Sequence, residues 1–155
     1  MRCDRKHMLL YAVTDRAWTG KETLYEQVEA ALKGGVTCVQ LREKELDKAA
    51  FLQEARVVCV LCHRYGVPFI VNDNVEIAIA CGADGVHVGQ EDLAAGEVRR
   101  RVGDAVTLGV SVHTVEEARR AVLDGVALVS AIFSAEDIQG TCRELRELSE
   151  KMVNS

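Results

Sequence analysis

Short apolar runs alternate with amphipathic stretches along the whole chain. Residues 9–13, 36–41, 69–71, 85–88, 106–110 and 126–132 are Val- and Ile-rich and nearly continuous in apolar character. That is the pattern of strands buried on both faces, and it predicts six of them. The segments between carry helical period. Leu24, Val28, Ala31 and Leu32 share one face, and Val115, Ala118, Ala121 and Val122 share another. Phe51, Leu52, Ala55, Val58, Cys59 and Cys62 mark the apolar face of a helix predicted over 49–65. Thr23-x-x-Glu26 and Thr114-x-x-Glu117 are capping boxes that start two of the helices. Gly-Val pairs at 35–36, 66–67, 85–86 and 125–126 precede strands. Glycine there ends the preceding helix cheaply, because it accepts the left-handed C-cap conformation. Alternating strand and helix argue for a parallel sheet with helices outside it. No Ser- or Pro-rich linker divides the chain, so residues 1–155 read as one domain.

Length narrows this picture. The 155 residues hold six strand-helix units of roughly 25 residues each. A closed (β/α)8 barrel takes about 200 residues or more. The α/β chain is therefore a smaller open sheet, or a barrel short of two units.

Charge and cysteines exclude several classes. Acidic residues outnumber basic ones 24 to 19, giving a net charge of −5. A general nucleic-acid or anionic-membrane binder needs clustered Lys and Arg, so neither partner is expected. No apolar run reaches the roughly 18 residues of a membrane span. The basic start is followed by six apolar residues, 8–13, too few for a secretory h-region. The expected location is the cytoplasm. The six cysteines then read as free thiols. Cys59-Val-Leu-Cys62-His63 matches a haem-attachment string, but its cysteines fall on the apolar face of the predicted helix. Trp18, His63 and the cysteines receive no assigned role.

Candidate chemistry gathers at strand ends. In Gln40-Leu41-Arg42-Glu43-Lys44, strand alternation puts Gln40, Arg42 and Lys44 on one face at the carboxyl end. There they offer an amide and two cations to phosphate oxygens, or form a solvated charged turn. Asn72-Asp73 follows the third run and Asp92 the fourth. Two carboxylates on neighbouring strand ends can hold Mg²⁺ together with substrate phosphates. Taken singly, each also suits a helix N-cap or a turn. His87 is a packed histidine or a ligand contact. Ser111 ends the fifth run, and Val129-Ser130 lies in the sixth. Loops after late barrel strands commonly make phosphate sites. The combined features describe a binding face for a phosphorylated small molecule with Mg²⁺.

These strings, in this order, resemble the thiamine phosphate synthase family. They are residues 10–15 (LYAVTD), 40–44 (QLREK), 71–73 (VND), 85–93 (GVHVGQEDL), 109–114 (GVSVHT) and 129–132 (VSAI). The resemblance covers nearly the whole chain and implies a TIM-type (β/α)8 barrel. It implies a synthase joining hydroxymethylpyrimidine diphosphate to hydroxyethylthiazole phosphate, releasing pyrophosphate, with Mg²⁺ as cofactor. By resemblance, the segment Gln40, Leu41, Arg42, Glu43 and Lys44 binds the diphosphate together with Asn72. Asp73 and Asp92 ligate Mg²⁺, and Ser111 contacts the pyrimidine substrate or the leaving group. Val129 and Ser130 bind the thiazole phosphate. The family's chemistry ionises a C–O bond, and the thiazole nitrogen captures the cation. No protein nucleophile is expected.

One departure stands out. The family's Pro-Thr-x-Thr-Lys loop and the following Gly-Gly strand end are absent. The helix from Val115 runs instead into what resembles the family's last strand. The chain is thus expected to be an incomplete barrel of about six units, with two units lost at a junction near 123–125. Self-association is the expected way to cover its open edges. An impaired remnant that binds pyrimidine diphosphate and Mg²⁺ without turnover is the alternative to an active synthase.

Overall fold

The computed structural model describes residues 4–20, 22–89, 95–110, 127–128, 133 and 135–153. Among the described residues six parallel strands form one sheet: β1 Tyr11–Val13, β2 Cys38–Leu41, β3 Phe69–Asn72, β4 Gly85–Val88, β5 Thr107–Val110 and β6 Ala127–Leu128. Their order is β5-β4-β3-β2-β1-β6. From β1 to β5 each strand pairs with the next in sequence, while β6 pairs with the other side of β1. A sheet built by successive βα steps in one direction, whose last strand returns to its first, is the wall of a TIM-type barrel. Among the described residues no ladder joins β5 to β6, so the described strands form an open arc. The expected junction at 123–125 and the Thr114 capping box lie outside the described residues.

Among the described residues five helices cover the outside: α1 Leu24–Lys33, α2 Lys48–Arg64, α3 Val75–Cys81, α4 Ala95–Val102 and α5 Ile138–Val153. Neighbouring helices from α1 to α4 pack in chain order, and α5 packs on α1. The Thr23 capping box forms as expected: Thr23 Oγ1 accepts from the Glu26 N–H, and Glu26 Oε2 accepts from the Thr23 N–H. At α3 the cap is Asn74, whose side chain accepts from the Ile77 N–H at 3.0 Å. Asp73 is therefore not the N-cap. One glycine reading is also corrected. The left-handed cap of α3 is Gly82, at φ 72°. Gly85 instead opens β4, where a Cβ would stand 2.3 Å from Ile70 Cδ1 and 2.8 Å from the Thr107 oxygen.

Strand alternation divides the core. Ala12, Val39, Leu41, Phe69, Val71, Val86 and Val88 face the helices and pack with Val28, Ala55, Val58, Cys62 and Ile77 in one buried cluster. The alternate positions Tyr11, Gln40, Asn72 and His87 therefore face the concave side of the arc. Cys59 and Cys62 are buried with the α2 core face, and burial pushes the Cys59 thiol up to about 11. The five described cysteines are free thiols, consistent with the helix-face reading of Cys59 and Cys62. No helix among the described residues is long and apolar enough to cross a membrane.

Candidate functional site

Strand register lines up a polar row on the concave face. Tyr11 Oη donates to Gln40 Oε1 at 2.7 Å, and Gln40 Nε2 donates to Asn72 Oδ1 at 2.8 Å. Three strands thus hold one chain of hydrogen bonds. It fixes both amides and leaves Asn72 Nδ2 with no hydrogen bond among the described residues. Gln40 is only 4% exposed, so its part is to orient Asn72 rather than to reach solvent. Asn72 lies opposite His87 in the β3–β4 ladder, and His87 opposite Gly109 in the next. A Cβ on Gly109 would come 2.6 Å from His87 Nδ1, so glycine there makes room for the imidazole. Burial lowers the His87 pKa, and the Asp73 carboxylate partly opposes that shift.

Beyond β3 the chain turns sharply. Asp73 adopts φ 61°, a left-handed conformation that aspartate tolerates better than most residues. The Asp73 N–H donates to the His87 oxygen at 2.7 Å, and the Asn74 N–H donates to the Asn72 oxygen at 2.7 Å. These bonds hold the turn and leave the Asp73 residue exposed. It borders a cleft of about 480 Å³ lined also by Lys44, Asn72, Lys48, Glu76 and Arg101. Lys48 and Glu76 form an ion pair. Lys44 is exposed and makes no ion pair among the described residues. Arg101, from α4, brings a further cation. Nothing in the sequence pattern singled it out, because it belongs to a helix and reaches the cleft only through packing.

The expected single face of Gln40, Arg42 and Lys44 does not form. β2 ends at Leu41, and alternation ends with it. Arg42 lies outside the cleft lining: its Nη1 pairs with Asp15 Oδ2 at 3.1 Å, and its N–H donates to Thr14 Oγ1 at 3.1 Å. Leu41 is fully buried against the helices, so it offers a ligand only backbone. Glu43 turns back into the fold. Its carboxylate accepts from the Glu45 and Leu46 N–H groups and pairs with Arg16. Burial alone would raise the Glu43 pKa, but these donors lower it. Arg16 Nη2 also bonds both Glu54 oxygens, at 2.7 and 2.8 Å. Glu43 thus shapes the loop that carries Lys44. The sequence offered no signal for this triad beyond a charged turn.

Ser111, Val129, Ser130 and Asp92 lie outside the described residues. Among the described residues no group of three or more His, Cys, Asp or Glu side chains is placed to hold a metal ion.

Residues 10–140 match the family described as thiamine monophosphate synthase. The chain is 47% identical over 122 residues to the thiamine-phosphate synthase of Roseiflexus castenholzii, covering 79% of this chain and 54% of that one. It therefore spans about half the length of that relative. It is 42% identical over 149 residues to the thiamine-phosphate synthase of Clostridium botulinum, covering 92% of this chain and 70% of that one. Among solved structures, the thiamine phosphate pyrophosphorylase from Pyrococcus furiosus superposes with a TM-score of 0.88 at 25% identity, covering 96% of this chain and 98% of that one.

Proposed function

The chain belongs to the thiamine monophosphate synthase family, and from that premise we propose that it joins hydroxymethylpyrimidine diphosphate to hydroxyethylthiazole phosphate, giving thiamine phosphate and pyrophosphate. One observation carries the reading. Tyr11, Gln40 and Asn72, from three strands, form one hydrogen-bonded row that ends beside Lys44 and Asp73 at the cleft. Ligands of parallel α/β folds bind at this carboxyl end of the strands.

In this reading Lys44 and the Asn72 amide hold the diphosphate, and Gln40 keeps Asn72 in place. Arg42, held by Asp15 at the adjacent strand end, supplies a second cation. Ser111 contacts the pyrimidine or the leaving group, and Val129 with Ser130 binds the thiazole phosphate. The C–O bond breaks, its electron pair leaves with pyrophosphate, and the thiazole nitrogen attacks the resulting carbocation. Lys44 and Arg42 stabilise the charge that develops on the leaving group. Asp73 offers a hard carboxylate oxygen at the cleft, which suits Mg²⁺ better than a soft metal. Asp73 with Asp92 is the site we assign to Mg²⁺, which when bound supplies further positive charge against the departing pyrophosphate. The chain works in the cytoplasm as one barrel-type domain lacking two units near 123–125, and it self-associates to cover the open edges.

The test is to incubate the purified chain with both substrates and Mg²⁺ and quantify thiamine phosphate, with Asp73→Ala alongside. Product that falls by about 100-fold or more in the variant is expected. Folded protein that binds the diphosphate but makes no product would overturn the synthase reading and leave a binder. Light scattering after size exclusion checks the assembly: a monomer at all concentrations would refute self-association.

A further inference from the structure

The last turn of α4 carries Arg99, Arg100 and Arg101 in a row. Arg99 turns back onto its own helix end: its Nη1 donates to the Gly103 oxygen at 2.6 Å and to the Val106 oxygen at 2.7 Å. A cation there satisfies carbonyls that the helix leaves unpaired. Arg101 is used differently. It lines the cleft with Lys44, Asn72 and Asp73, and it makes no hydrogen bond or ion pair among the described residues. Packing sets its place. Val98 is fully buried and Val102 packs on the same core, and a residue three after Val98 is its neighbour on the helix surface. Arg101 thus stands at the edge of the packed side of α4, and α4 packs against α3.

Glu76, in the first turn of α3, is the carboxylate that would capture it. Glu76 lines the same cleft, but it is already paired with Lys48. The Lys48 hydrogen bond and charge hold the Glu76 carboxyl below its ordinary value, and Arg101 adds a smaller pull without pairing. A guanidinium that no described group holds, beside an amide and a second cation without an ion pair, is a donor set for oxyanions. Its planar fork takes two phosphate oxygens at once, and Lys44 supplies a mobile point charge.

We propose that Arg101 is a phosphate-binding residue of this cleft, and that Lys48 keeps it free by occupying the carboxylate that would otherwise hold it. The proposal rests on the reading of the cleft as a diphosphate site, with Mg²⁺ offsetting the Asp73 charge. Arg101 binds oxygens of the same diphosphate as Lys44, so the anion is held from both the loop after β2 and α4. Lys48 is a positioning residue.

Inorganic pyrophosphate, titrated by calorimetry in Mg²⁺ buffer, reads the site without requiring turnover. Arg101→Ala should weaken it about tenfold with an unchanged urea midpoint, and Arg101→Lys should weaken it less. Arg56→Ala controls for charge alone. Arg56 is on α2, in a separate groove with Tyr25 and Val60, and its loss should change affinity by less than about twofold. Lys48→Met should weaken pyrophosphate about threefold, because Glu76 then turns to Arg101. Adding Glu76→Gln to that variant should restore the affinity. Native affinity in Arg101→Ala, or an equal loss in Arg56→Ala, would overturn the assignment of Arg101 and leave the synthase reading in place. Lys48→Met that binds like the native chain, or stays as weak once Glu76→Gln is added, would overturn the positioning role. No pyrophosphate binding by the folded native chain would overturn this proposal together with the diphosphate reading of the cleft.

Discussion

At the amino ends of the strands, Thr37 and Asp84 are turned inward. At the carboxyl ends of β2 and β3, Lys44 and Asp73 stand exposed beside a cleft. Thr37 Oγ1 accepts from the Leu10 N–H at 2.8 Å and donates to the Leu10 oxygen at 3.0 Å, tying β1 to β2. Asp84 Oδ2 accepts from the Phe69 N–H at 2.9 Å and lies 2.7 Å from His63 Nε2, tying β4 to β3 and α2. Burial would raise the Asp84 pKa, yet hydrogen bonds, those of Phe69 and His63 among them, hold it below the ordinary value of 3.8. The two ends use similar residue types for opposite purposes. Where polar atoms satisfy buried backbone they stabilise the arc. Where the backbone is already paired, an exposed side chain such as Lys44 can face a ligand.

The sharpest way to break this contrast is Asp84→Ala. It strands the buried Phe69 N–H and should cost about 2–3 kcal/mol in urea unfolding, with diphosphate affinity per folded molecule unchanged. The same carboxylate sets an acid limit. Its folded pKa is depressed, so its stabilisation is complete above the unfolded value near 4 and is lost as pH falls through the folded one. Asp84→Asn should flatten that part of the acid-unfolding curve.

Gly109→Ala comes next. The new Cβ displaces the His87 ring and should cost about 1–3 kcal/mol, together with weaker substrate binding in calorimetry. Lys44→Ala is the converse of Asp84→Ala. Diphosphate binding should weaken about tenfold or more, while the urea midpoint stays put because Lys44 has no ion pair among the described residues. A large stability loss in Lys44→Ala would erase the distinction between the two ends.

Thr23→Ala, at neither end's functional groups, should cost about 1 kcal/mol through the α1 cap. The smallest effect concerns His87. Its folded pKa lies below the ordinary 6.5, so the unfolded chain binds a proton that the folded chain resists. Stability should therefore decline slightly as pH drops from 6.5 toward the folded value. His87→Gln should remove that slope in thermal melts between pH 7.5 and 5.5.

Much of this was written locally in the chain. Apolar runs placed the strands, because a strand buried on both faces must be apolar throughout. Helical period and the Thr23–Glu26 box placed α1, because a cap needs only residues three apart. The strings at 40–44 and 71–73 located the two strand ends that flank the cleft. The sequence alone did not show which side chains meet there. Arg42 left the expected face because alternation stops where β2 stops, and Glu43 found Arg16 across 27 residues. Arg101 came from a helix whose approach depends on packing. Tyr11, Gln40 and Asn72 became one row only through the parallel register of three strands. Period and capping are properties of neighbours in sequence, so sequence determined them. Register and helix approach are set by burying the whole core at once, so only the tertiary structure decided them.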